Sequence, residues 1–397
     1  MARPEGRPNG SRRRARPEHL HEKDSPTVLH AFPDLLRTGA AFVVVLGVLV
    51  FVHEFGHYIV ARWCGVHVEV FSIGFGKSIT EWTDSVGTKW KLAWLPLGGY
   101  VKLHGQEQPH DVSDEVRASW MPGKTFHDKK VLPRALVVAA GPVANFLLAS
   151  VLFAGLFLSV GRPVTEPVIG EVLPGGAAAK AGLMAEDRIE AIGGQSIAKF
   201  EDIQRIVVAR PGEKLTLTVL RDSKQIEVPI VTGSREVNGR TVGMLGISGN
   251  KVGYVPAGVL ESLTGGFVQT WKVTGDTLSG IAQMINGSRG TEELGGPLRI
   301  AQLSGQVAKL GAASLISFIA VLSVNLGLIN LFPIPVLDGG HLLFYLFEAL
   351  RGKPLPRKAQ EYGFRAGIAV LATLFLFATW NDLTSIGLFR WVASLIG

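Results

Sequence analysis

One cysteine, Cys64, occurs in 397 residues. An intramolecular disulfide and a cysteine-rich metal site are therefore both excluded, so any bound metal must be held mainly by His, Asp or Glu. No aromatic side chain interleaves with the basic run at Arg12, Arg13, Arg14 and Arg16, which lies among Pro, Gly and Ser. The net charge of +7 therefore does not signal a base-stacking surface, and no nucleic-acid partner is expected. Residues 1–37 read instead as a basic, disordered extension. No small-residue cleavage site follows the first apolar run, so that run does not read as a removed signal peptide. No inverted repeat relates two halves of the chain, which argues against a transporter.

Long hydrophobic runs, by contrast, are plentiful. Four segments have the length and apolarity of membrane spans: about Gly39 to Trp63, Ala135 to Gly161, Ala312 to Phe332, and Gly363 to Trp380. Basic residues cluster near the membrane junctions of two loops. Arg62, Lys77, Lys124, Lys129, Lys130 and Arg134 lie between spans one and two, and Arg351, Lys353, Arg357, Lys358 and Arg365 between spans three and four. Both loops are therefore expected on the cytoplasmic side, with the termini and the connection between spans two and three outside. The first loop is β-rich, with a turn at Asp84 to Gly87, and its apolar "WLPLGGYV" stretch is expected to associate with the membrane. The segment from Pro167 to Val231 reads as strand, turn, short helix, strand, helix and two strands joined at Asp222-Ser223. Downstream, Val259, Leu260, Leu263, Phe267, Trp271, Leu278, Ile281 and Ile285 recur at helical spacing. They fit either an amphipathic helix on the membrane surface or a soluble helix packed on a core. The expected organisation is a first membrane half over 38–161, an inserted α+β domain over 162–250, an amphipathic connection over 251–311, and a second membrane half over 312–397.

Within the first span, His53-Glu54-Phe55-Gly56-His57 has the form HExxH. Residues four apart share one face of a helix, so both imidazoles can reach one metal ion. Zinc suits imidazole nitrogen and acidifies a bound water, and Glu54 is placed to take that water's proton. At ~1.5 Å per residue the span is about 37 Å long, and the motif falls in its second, cytoplasmic half. An ionised Glu at such depth costs on the order of 2–3 kcal/mol unless metal or water compensates. The bland alternative is two packing histidines with an interfacial glutamate. A catalytic zinc usually takes a third protein ligand. In "NLFPIPVLDGGH", Asn330 to His341, two prolines break the helix and Asp338 stands alone in apolar surroundings before two glycines. Asp338 is the candidate third ligand. His341 fits a supporting or a packing role equally, and Asn145 reads as helix packing with one interhelical hydrogen bond rather than substrate contact.

HEFGH and "NLFPIPVLDGG" resemble the two signatures of the site-2 protease family of intramembrane zinc metalloproteases. "VFSIGFG", "PLGGYVKL" and "GPVANF" are similar to further motifs of its bacterial branch, the regulator of sigma-E protease type. The likeness covers nearly the whole chain from about residue 40. It implies zinc bound by His53, His57 and Asp338, water activation by Glu54, and substrate binding by Asn330. It further implies that the "PLGGYVKL" element pairs with substrate as an added strand. "VLPGGAAAKAGLMAEDRIEAIGGQSI" resembles a PDZ domain, departing from the usual pattern at Ala185-Glu186, where a Gly often precedes the Asp. In this family that domain implies either peptide capture or steric gating. The expected fold is thus a polytopic α-helical membrane protein with four transmembrane helices, a membrane-associated β loop and one inserted PDZ-like α+β domain. The expected activity is zinc-dependent hydrolysis of a peptide bond within or near the transmembrane helix of single-pass proteins. Anti-sigma factors and signal-peptide remnants are the implied substrates, and the lipid bilayer of the bacterial inner membrane is the setting. A catalytically silent scaffold is the competing reading, and the presence of both Glu54 and Asp338 disfavours it.

Overall fold

The computed structural model describes residues 28–107, 112–237, 240–249, 251–291 and 295–385. Most of the basic extension lies outside the described residues. Helix α1 spans Val28–Trp63 and so begins within the extension expected over 1–37. It stops in a Schellman arrangement: Gly65 is left-handed (φ 69°), its N–H donates to Arg62 O, and the Val66 N–H donates to Ala61 O. That stop turns the chain directly into β1 (Val68–Thr83), which pairs with β2 (Lys89–Leu103) around the expected Asp84–Gly87 turn. Asp84 ties the turn by accepting from the Val86 and Thr88 N–H groups and from Trp90 Nε1. Both strands bend. Residues 68–73 pair with 99–103 on one side and with 89–92 on the other, while 78–83 pair with 89–93. Among the described residues, 99–103 therefore form an edge of this sheet. The far part of the hairpin exposes Phe75, Ile79, Trp82, Leu92, Trp94 and Leu95, an apolar surface suited to lipid rather than water.

After the short α2 (Asp114–Ala118), α3 (Val131–Ser159) returns along α1. Among the described residues, four helices are long and apolar enough to cross a membrane: Pro33–Trp63, Val131–Ser159, Ala312–Asn330 and Arg357–Ser385. Three of them pack through small residues. Gly56 lies against Ala140 and Ala144, and a Cβ at Gly327 of the third span would sit 3.1 Å from Pro142 O and 3.3 Å from Asn145 Cβ. Close backbone approach of this kind is how helices associate where lipid removes the hydrophobic drive.

The inserted domain is entered by β3 (Arg162–Thr165), β4 (Ile169–Val172), α4 (Ala177–Lys180), β5 (Arg188–Ile192) and β6 (Gln195–Ser196). It continues through α5 (Phe200–Val208), β7 (Lys214–Arg221), β8 (Lys224–Val231), β9 (Gly233–Val237), β10 (Arg240–Met244), β11 (Ile247–Gly249) and β12 (Val252–Val255). The antiparallel sheet β6-β5-β7-β8 and α5 enclose Ile189, Ile192, Ile203, Leu217 and Val219. Asp222 and Ser223 are both left-handed, as a tight hairpin turn requires. Strand β12 pairs with β3, so the chain leaves the domain beside the point where it entered. The domain accordingly closes at Val255 rather than at the expected 250. Where the sequence lacks the customary Gly, Glu186 itself takes a positive φ of 71°.

Helix α6 (Val259–Ile285) forms where helical spacing predicts it, but its faces are the reverse of a helix seated on a soluble core. Ser262, Gly266, Thr270 and Thr274 are buried, while Val259, Leu260, Leu263, Phe267 and Trp271 are exposed. The inward face runs along α3, with Ser150 Oγ and Thr270 Oγ1 3.0 Å apart, and beside it the exposed Trp271 stacks on Phe146. Thr277 then donates to Asn325 of α8 (Ala312–Asn330), the third span. Between them, α7 (Pro297–Lys309) has its first turn capped from another helix. Asp382 in α10 (Arg357–Ser385), the fourth span, accepts from the N–H groups of Gly296, Leu298 and Arg299. The remaining helix, α9 (Asp338–Arg351), follows the proline-containing loop after α8.

Candidate active site

His53 and His57 occupy successive turns of α1 and face α3. The space they need exists because residue 141 is glycine: a Cβ there would lie 2.6 Å from His57 Cε1 and 2.9 Å from His53 Cε1. The His57 Nδ1–H donates to Val137 O at 2.8 Å, which turns Nε2 inward. The two Nε2 atoms are 3.3 Å apart.

Asp338 approaches from the other end of the chain as the first residue of α9. Its loop is locally strained, since Val336 is β-branched and holds φ at 107°. The two glycines that follow lie against the Leu331, Phe332 and Ile334 carbonyls, where a side chain has no room. That packing is why Asp338 stands before a Gly pair. Asp338 Oδ2 is 3.2 Å from His53 Nε2 and 3.5 Å from His57 Nε2. It is buried and has no hydrogen-bond partner.

These three atoms form the only group of three or more His, Cys, Asp or Glu ligands found among the described residues. Tetrahedral zinc with bonds of ~2.0–2.1 Å separates its ligand atoms by about 3.3–3.4 Å. The observed edges of 3.2, 3.3 and 3.5 Å fit that triangle. An unpartnered buried carboxylate oxygen pointing at two imidazole nitrogens fits it as well.

Glu54 lies beside the pair and opens on a cavity of about 550 Å³ that it shares with Asn330, Asp338 and His341. The wall opposite is the sheet edge. A Cβ at Gly99 would meet Glu54 Cγ at 3.1 Å and Val50 Cγ1 at 2.8 Å, so glycine lets this edge close on the glutamate. Asn330, the last residue of α8, lines the same space. His341 also lines it, and its ring packs beside Phe364. At one end of the cavity Arg134 bonds Glu348 and lies over the Tyr345 ring, tying α3 to α9.

Asn145 makes the interhelical contacts that its packing role implies, with a partner the sequence did not name. The packing role is present, since Ser323 Oγ of α8 donates to the Asn145 backbone carbonyl at 2.8 Å. The side chain, however, is wholly buried with its Nδ2 3.1 Å from His53 Nδ1. The available signal was the four-residue step from Gly141, which puts both on one helix face.

The comparisons with known proteins agree with this chemistry. Residues 41–374 match peptidase family M50. A protein of Agrobacterium fabrum named as a zinc metalloprotease is 45% identical over 361 residues, covering 87% of this chain and 95% of that one. The regulator of sigma-E protease RseP of Escherichia coli is 32% identical over 446 residues, covering 86% of this chain and 97% of that one. Among solved structures, the PDZ domain of the SdrC-like protein from Listeria innocua aligns with a TM-score of 0.20 and 20% identity, covering 23% of this chain and 99% of that one. The class is zinc metalloendopeptidase. Within it, the chain belongs to peptidase family M50, the site-2 protease family.

Proposed function

We propose that this metalloprotease hydrolyses a peptide bond within or beside the transmembrane helix of a single-pass protein, using His53, His57 and Asp338 as zinc ligands and Glu54 as the catalytic base. The observation that carries the reading is the triangle of ligand atoms with edges of 3.2–3.5 Å beside Glu54 and a strand edge. Zinc bound there supplies Lewis-acid polarisation of a carbonyl and acidification of water. Glu54 takes the proton of the attacking water and returns it to the leaving amide nitrogen. Asn330, on the cavity wall, steadies the substrate backbone or its developing oxyanion.

A transmembrane helix hides its peptide groups in its own hydrogen bonds, so cleavage requires a few residues to unwind. Exposed peptide groups are costly in lipid, and the 99–103 edge offers them a replacement partner next to Glu54. In a bacterial inner membrane, the basic loops would place the inserted domain outside and the metal cluster toward the cytoplasmic side. The PDZ-like domain then gates substrates, by bulk or by capture of a peptide. Membrane anti-sigma factors already trimmed outside, or signal-peptide remnants, meet these requirements.

The test is zinc content and cleavage of a single-pass substrate in lipid vesicles, for the parent and for Asp338→Ala. The parent should hold stoichiometric zinc and cleave, and chelation should abolish cleavage until zinc is restored. Stoichiometric, tightly held zinc in Asp338→Ala would contradict the ligand assignment.

A further inference from the structure

We infer that Asn145 is a positioning residue for His53: its amide oxygen accepts the His53 Nδ1–H and so fixes the imidazole with a bare Nε2 turned toward His57 and Asp338. The inference rests on the zinc site proposed above. A neutral imidazole carries one proton, and a ligating nitrogen must be the one without it. His53 Nε2 is the atom that faces both His57 Nε2, at 3.3 Å, and Asp338 Oδ2, at 3.2 Å. Its Nδ1 must then be a donor in need of an acceptor. The group placed 3.1 Å away is the Asn145 amide, and the oxygen of that amide is buried without a partner. Amide oxygen and nitrogen exchange places on a half-turn of the side chain. That rotation joins an unpaired buried acceptor to the donor beside it that requires one. An amide N–H directed at Nδ1 would instead force the proton onto Nε2, where it would block ligation.

Helix α3 supplies a precedent two turns away. The His57 Nδ1–H donates to Val137 O at 2.8 Å. Positions 137, 141 and 145 step by four along one helix face. Val137 offers a carbonyl to one histidine, Gly141 leaves room for both rings, and Asn145 offers an amide oxygen to the other. In this arrangement α3 sets the tautomer of both histidines of the HExxH motif without itself touching the metal.

The experiment measures zinc affinity of the full-length protein in detergent by competition with a chelator, alongside the visible absorption of the cobalt-substituted form. Asn145→Leu removes both polar atoms. Asn145→Asp keeps an acceptor and removes the donors. Loss of a second partner of this kind typically weakens metal binding about 10–100-fold, and that is expected for Asn145→Leu together with an altered cobalt spectrum. Asn145→Asp should retain parent affinity within about threefold or bind more tightly. Ser323→Ala, which removes only the bond to the Asn145 backbone, should bind zinc as the parent does. Parent-like affinity in Asn145→Leu would overturn the inference while leaving the zinc site intact. A loss of tenfold or more in Asn145→Asp would overturn it too, and that variant decides the matter if Asn145→Leu does not fold. A parent chain that binds no zinc would overturn the proposed function as well as this inference.

Discussion

Gly141→Ala is the smallest change that should disable the site from outside it. The added Cβ would stand 2.6 Å from His57 Cε1 and 2.9 Å from His53 Cε1, about 0.8 and 0.5 Å inside ordinary van der Waals contact. Neither ring has an easy retreat. His57 is held by Val137 O, and His53 is 8% exposed and backed by Asn145. Relief must therefore come from the rings turning or from α1 and α3 separating, at a cost of about 1–3 kcal/mol. Zinc sites tolerate ligand displacements of only ~0.2 Å, so a shift several times larger should weaken zinc binding at least tenfold. Misplacement approaching 1 Å should also slow cleavage by about 10²-fold. Chelator competition measures the first effect, and single-turnover cleavage of a vesicle-embedded substrate at saturating zinc measures the second. Thermal unfolding in detergent should show only a modest loss. Parent-like zinc affinity and cleavage in Gly141→Ala would show that the missing side chain is not what makes room for the two histidines.

Arg134→Ala leaves Glu348 buried without its cation, since both side chains are nearly inaccessible (11% and 13%). It should lower stability by about 3 kcal/mol, and Arg134→Met with Glu348→Leu should recover most of the loss; a double variant no better than the single would contradict this. In the inserted domain, burial pushes the Asp187 carboxyl up, but Arg221 at 2.6–2.7 Å and the Met184 N–H at 2.8 Å outweigh it and hold the group below the usual carboxylate range. A carboxyl held low stabilises the fold above its unfolded-state value of ~3.9. That contribution is lost as the pH falls through the lowered folded value. Arg221→Ala should therefore cost about 2–3 kcal/mol at neutral pH and make unfolding less acid-sensitive as the pH falls from about 5 through the lowered folded value. Equal acid sensitivity in the two proteins would count against it.

What the sequence made legible followed the range of the interactions. HExxH is a local pattern, since helical spacing alone brings His53 and His57 together. Asp338 lies 281 positions beyond His57, yet its setting announced it: a carboxylate among apolar residues, after two prolines and before two glycines. The hairpin turns at Asp84 and Asp222 were legible for the same local reason. Asn145 was not, because nothing in "GPVANF" says which neighbouring helix its side chain meets. Helix α6 was legible as a helix but not as to which face turns inward. The apolar stripe would be the buried one against water, whereas this helix buries Gly266, Thr270 and Thr274 instead. The closing strands β11 and β12 were not legible, because they find their partners, β4 and β3, about 80 to 90 residues back.

Whether Glu54 is the base is decided by comparing Glu54→Gln with the parent for zinc content and for cleavage of a single-pass membrane substrate. Glutamine keeps the shape of the side chain and leaves His53, His57 and Asp338 untouched, but it cannot take a proton from water. Both proteins should hold stoichiometric zinc, and cleavage by Glu54→Gln should fall by about 10²–10⁴-fold. Equal cleavage by the two proteins at equal zinc content would exclude Glu54 as the base.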